Sequence, residues 1–127
     1  MKFRIFATLM VVILLGACRT VSVYDVRDAA VVSNVASVSK EDVRKAIIRA
    51  GSALGWQIQE NGPNALVGTL KLREHIAVVD IPYSAKQYSI VYKSSTNLNY
   101  DGATIHSNYN GWIQNLQKGI NSQLNTL

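Results

Sequence analysis

His75 and His106 are the only histidines in a chain of 127 residues, so a general base or an imidazole metal ligand has two places to sit. Asp80, Asp101 or Glu74 could orient either ring, and any of the many serines could supply a hydroxyl nucleophile. The turn that usually presents such a nucleophile, Gly-x-Ser-x-Gly, does not occur in the sequence. The two histidines are too far apart along the chain to form a short zinc-ligand pair, and with one cysteine there is neither an intramolecular disulfide nor a thiolate cluster. No motif calls for a cofactor. Each histidine is therefore expected to cap or brace an element, with His106 just ahead of a candidate helix cap at Ser107. Asp80, alone in an apolar run, is expected to pair with Lys71, Arg73 or Lys93 on a neighbouring strand and fix register.

A second chemistry is suggested by Tyr83, Tyr88, Tyr92, Tyr100, Tyr109 and Trp112, which lie among Asn97, Asn99, Asn108 and Asn110. Rings stack on the apolar faces of sugars and side chains, and asparagine both donates and accepts, so the set suits glycan or peptide binding. The same rings at these spacings also suit core packing. Asn97, Asn99, Tyr100, Tyr109 and Trp112 are the candidate partner-binding residues, with the loop residues Asn97, Asn99 and Tyr100 the best placed.

Behind these residues stands an export signal. Met1-Lys2-Phe3-Arg4 is basic, and residues 5–15 are apolar apart from Thr8, which together make the two leading regions of a secretory signal. Eleven residues are too few to span a bilayer, which takes about 20. Leu15-Gly16-Ala17-Cys18 then resembles the bacterial lipobox: a branched apolar residue, two small residues that fit an extended chain into a protease cleft, and a cysteine. The chain's single thiol stands where this motif needs it, and a thiolate is a strong nucleophile for lipid transfer. The motif implies removal of residues 1–17 and a diacylglyceryl group with an acylated amine at Cys18. At about 0.8 kcal/mol per buried methylene, several chains give a lasting membrane anchor. Arg19, rather than Asp, follows the cysteine, and by analogy with Gram-negative sorting this favours the periplasmic face of the outer membrane. Loss of Lys2 and Arg4 lowers the formal net charge from +5 to +3, too small an excess to argue for nucleic acid.

The elements that must position these residues follow from periodicity. Residues 18–38 read as a lipidated tether, with a short edge strand possible at Ala30-Val31-Val32. Ser39 can cap a helix whose first turn holds Glu41 and Asp42, whose apolar positions are Val43, Ala46, Ile47, Ala50 and Leu54, and which Gly55 ends. Strands are expected over 56–60, 65–73, 75–83 and 87–93, with an Asn61-Gly62-Pro63-Asn64 turn and with 75–83 central because both its faces are apolar. An Asn-rich loop precedes a last helix built on Tyr109, Trp112, Ile113, Leu116, Ile120 and Leu124. Gly111 and Gly119 weaken that helix by about 1 kcal/mol each, so it must dock to persist. The expected fold is α+β: residues 39–127 form one two-layer sandwich of an antiparallel meander of three to four strands with two amphipathic helices.

The residues Asp42-Val43-Arg44-Lys45-Ala46-Ile47, Gly55-Trp56, His75-Ile76-Ala77-Val78-Val79-Asp80-Ile81-Pro82-Tyr83, Tyr88-Ser89-Ile90-Val91-Tyr92-Lys93-Ser94-Ser95, Asn97-Leu98-Asn99-Tyr100 and Ile105-His106-Ser107-Asn108-Tyr109-Asn110-Gly111-Trp112-Ile113 give the chain its likeness. It resembles a group of small proteobacterial outer-membrane lipoproteins. That group has no assigned activity, so the resemblance implies location without site residues. The expected function is a non-enzymatic, lipid-anchored cell-envelope module that binds an envelope protein or peptidoglycan. The alternative is a small periplasmic enzyme or metal-dependent factor using His75 or His106.

Overall fold

The structure, a computed structural model, describes residues 19–127; the expected leader and Cys18 lie outside the described residues. In chain order the elements are β1 (Thr20–Ser22), β2 (Val26–Ala30), α1 (Lys40–Ala53), β3 (Gln57–Glu60), β4 (Ala65–Leu72), β5 (His75–Pro82), β6 (Gln87–Thr96), β7 (Thr104–His106) and α2 (Ser107–Asn125). Five strands form one antiparallel sheet in the order β2-β6-β5-β4-β3, and β1 pairs with β7 in a separate antiparallel ribbon. No helix among the described residues is long and apolar enough to cross a membrane.

Helix α1 starts as its sequence dictates. The Ser39 hydroxyl accepts from the Asp42 amide at 3.0 Å, and the Asp42 carboxylate accepts from the Ser39 amide at 3.1 Å, closing a capping box. These bonds hold the Asp42 carboxyl below its usual range, chiefly through the Ser39 backbone amide. At the other end Gly55 takes φ +89° just beyond the Leu54 cap, the left-handed turn that favours glycine.

Both helices lie on the same face of the sheet. Val43, Ala46, Ile47 and Ala50 of α1, with Tyr109, Ile113, Leu116, Ile120 and Leu124 of α2, are buried against Leu66, Leu70, Ala77, Val79, Ile81, Tyr88 and Ile90. Full burial contributes about 1.5–3 kcal/mol per large aliphatic side chain, so docking outweighs the glycine penalty in α2. The helices also approach closely: a Cβ at Gly119 would lie 3.4 Å from the Ala50 Cβ. Under the helices Gly68 makes room for Trp56, since a Cβ there would meet the indole at 3.2 Å.

On the other face Val67, Thr69, Val78, Asp80 and Val91 stay partly exposed, so the architecture is two-layered as expected. The strand holding His75 and Asp80 is central, third of five. Asp80 pairs with Lys93, but at 3.3 Å with both side chains well exposed. Such pairs stabilise by at most about 1 kcal/mol, so register is set by the buried row Ala77, Val79 and Ile81 instead.

The tether expectation needs correction. Part of residues 18–38 is two strands. β2 pairs with β6 through a bulge in which Asp28 adopts φ +51° and its amide donates to Ser89 Oγ at 2.9 Å. β1 pairs Thr20 with His106 and Ser22 with Thr104. The edge strand ends at Ala30 rather than beginning there. Strands of three and five residues depend on partners far along the chain, which periodicity does not register.

A Cβ at Gly111 would meet nothing within 4 Å. Gly111→Ala is therefore expected to raise unfolding free energy by about 0.5–1 kcal/mol, measured as a higher urea midpoint at unchanged slope.

Candidate functional site

The ends of β5, β7 and α2 bring the two histidines together. Their ring centroids are 6.3 Å apart, and Trp112 on the first turns of α2 stands 6.3 Å from His75. Their spacing along the chain carries no sign of this convergence. It is produced by the 97–103 loop, where Asn97 and Asn99 take φ +58° and +52°, a conformation asparagine tolerates better than most residues. Leu98 between them is buried, and its carbonyl accepts from the His106 amide at 2.8 Å.

Each ring has already committed one nitrogen. His75 Nδ1 donates to the Asn97 carbonyl at 2.8 Å, leaving Nε2 with the lone pair. His106 Nδ1 accepts from the Asn108 amide at 3.1 Å, which makes His106 the cap of α2. The expected cap, Ser107, is instead the first helical residue. With Nδ1 accepting, the neutral His106 ring carries its proton on Nε2, so it has no lone pair there to offer a metal.

Two of the three acids expected to orient these rings, Asp101 and Asp80, are occupied elsewhere. Asp101 accepts from the Thr104 amide at 2.7 Å, the Ala103 amide at 2.9 Å and the Thr104 hydroxyl at 2.9 Å. The Thr104 backbone bond, followed by that of Ala103, holds its carboxyl below the usual range, making it a weak base that staples a turn. Asp80 is bound to Lys93 on the outer sheet face. Among the described residues no three His, Cys, Asp or Glu side chains come together as a metal-binding group.

The aromatic and amide residues separate into different roles. Tyr109 is fully buried, and Tyr92 meets it edge-on with centroids 5.7 Å apart, so Tyr109 is core and not a partner-binding residue. Tyr88 is also buried, its hydroxyl donating to Asn121 at 2.6 Å. Asn97 donates to the Glu74 carbonyl at 2.9 Å and ties the loop to the β4–β5 hairpin. Asn110 joins the ribbon to α2: its oxygen accepts from the Tyr24 amide and its nitrogen donates to the Ser22 carbonyl, both at 2.9 Å. Trp112 is half-buried. Asn99 and Tyr100 remain exposed, with Tyr100 stacked on Tyr92 at 4.0 Å so that its outer face is free.

Hollows lie at the opposite end of the sheet. One of about 230 Å³ is lined by Asp28, Tyr83, Gln87 and Ser89 among others. Another, about 390 Å³, contains Arg44, which is paired with Glu41 and Glu60. Both are open and neither includes a histidine. No protein-family model, curated protein or solved structure matches this chain.

Two measurements test these roles. His106→Ala is expected to cost about 1 kcal/mol of stability and His106→Asn much less, because asparagine also caps. The Tyr109 hydroxyl has no hydrogen-bond partner among the described residues, and burial pushes its pKa up; burial also pushes Tyr88 up from 10 to about 12. Folding thus favours the neutral phenols, a contribution fully present below pH 10 and lost as pH rises through the folded values. Tyr109→Phe should match or exceed wild-type stability at pH 7 and lose less of it between pH 10 and 12, followed by denaturant midpoints.

Proposed function

We propose that the protein is a non-enzymatic lipoprotein of the cell envelope, anchored through Cys18 at the periplasmic face of the outer membrane and presenting its domain to a protein or cell-wall partner. The observation that carries this reading is the Leu15-Gly16-Ala17-Cys18 segment, with the chain's single cysteine at its end and a folded strand starting two residues later. Such an arrangement suits a lipidated N-terminus immediately followed by an exported domain. The commitment of His75 and His106 to backbone hydrogen bonds supports a structural use for both. Asn99 and the free face of Tyr100 are the best candidates for partner contact, since a ring beside an amide suits both peptide and sugar.

One observation favours a second reading, a small enzyme or metal-dependent factor: the approach of His75 and His106. Replacing each histidine by Gln separates the two, because a binding module that still folds keeps its cellular role and a catalyst loses it.

Cells fed labelled palmitate should incorporate label into the wild-type chain and lose it completely in Cys18→Ser, with the label recovered in the outer-membrane fraction. Cross-linking in whole envelopes should then capture a partner that Tyr100→Ala releases. Cosedimentation with purified peptidoglycan identifies the cell wall as that partner, and its absence leaves an envelope protein.

A further inference from the structure

The end of the sheet where the described chain begins is locked to the body of the domain. The Arg19 carbonyl accepts from the Ser107 amide at 2.9 Å, and Thr20 pairs with His106. Asn110 then holds Ser22 and Tyr24, and the Tyr24 hydroxyl donates to Gln117 at 2.8 Å. Cys18 is one residue from this lock, and consecutive Cα atoms are about 3.8 Å apart. A lipid on that cysteine leaves no leash long enough to lift the domain off a bilayer.

We infer that the protein docks flush on the lipid surface, with the end of the sheet bearing Trp112, His75, His106 and the Leu72–Arg73 hairpin tip lying in the headgroup region. The inference rests on the anchoring proposed above. The chemistry of this end suits a membrane interface. His106 is the strand partner of Thr20 and lies beside His75, which lies beside Trp112. The indole of Trp112 is an amphipathic ring of the kind that partitions to the headgroup level. Leu72, paired with His75 at the hairpin tip, is 47% exposed although it is a large apolar side chain. Arg19, Lys71 and Arg73 add cations that anionic headgroups attract, against Glu74 at the same tip. Eight-residue strands carry the opposite end, with Val32 and Lys86, roughly 25 Å away at about 3.3 Å per residue. Docking in this pose points the open hollows away from the lipid.

The test uses Trp112 as its probe and Trp56, only 3% exposed in the core, as an internal reference. The protein carrying lipid at Cys18, native or coupled chemically to the thiol, is placed on phosphatidylethanolamine–phosphatidylglycerol vesicles containing lipid brominated near the headgroup. Docking predicts that bromolipid quenches the emission, that acrylamide quenching falls at least twofold on attachment, and that Trp112→Phe abolishes both effects. Val32→Trp placed in the Trp112→Phe background should remain unquenched by bromolipid. Unchanged acrylamide access to Trp112, or equal bromolipid quenching of the Val32→Trp probe, overturns the pose. Because the lipid can be attached chemically, a natively bare Cys18 refutes the anchoring while the docking is still read on the coupled protein.

Discussion

Burial of a single sheet face under two helices that could not persist alone is the constraint on which the structure depends. Helix α2 carries glycines at 111 and 119 and gains its stability from Tyr109, Ile113, Leu116, Ile120 and Leu124, all without exposed surface. Helix α1 contributes a shorter stripe, capped at both ends by its own sequence. The sheet in turn needs the helices to cover Leu66, Ala77, Val79, Ile81 and Ile90. With α2 fixed, its first turn fixes the β1–β7 ribbon, and the ribbon fixes the point at which the N-terminal segment reaches the domain.

That chain of dependence gives the polar residues their places. Asn110, Asn121 and Gln117 serve the assembly of the fold. They accept from or donate to Tyr24, Tyr88 and the Ser22 carbonyl, fastening α2 to β1, β6 and the segment between the first strands. Most of the chemistry-bearing side chains are thus spent on assembly. The exposed remainder lies at the Asn99–Tyr100 loop and at the end where the described chain begins.

Both helices and β3 to β6 were legible in the sequence because each carries its signal locally: Ser39 with Asp42, Gly55 after the last turn, alternation through Ala77, Val79 and Ile81. β1 and β2 were not. Their partners lie far along the chain, as the 61-residue separation between the Asp28 amide and Ser89 Oγ illustrates, and three or five residues are too few to display a period. Tyr109 falls at the helical spacing of the core stripe of α2 and Tyr100 on a loop outside it, so periodicity already separated the buried ring from the exposed one. The meeting of His75 and His106 was hidden: it depends on two left-handed asparagines in a loop whose shape no spacing encodes.

Cys18 joins the folded domain to its proposed place in the cell, and the mass of the intact protein purified from its native membrane tests that junction most directly. A chain that begins at Cys18 and carries three acyl groups, two through the glyceryl thioether and one on the amine, is the predicted result. A free thiol at Cys18, or residues 1–17 still attached, would contradict it.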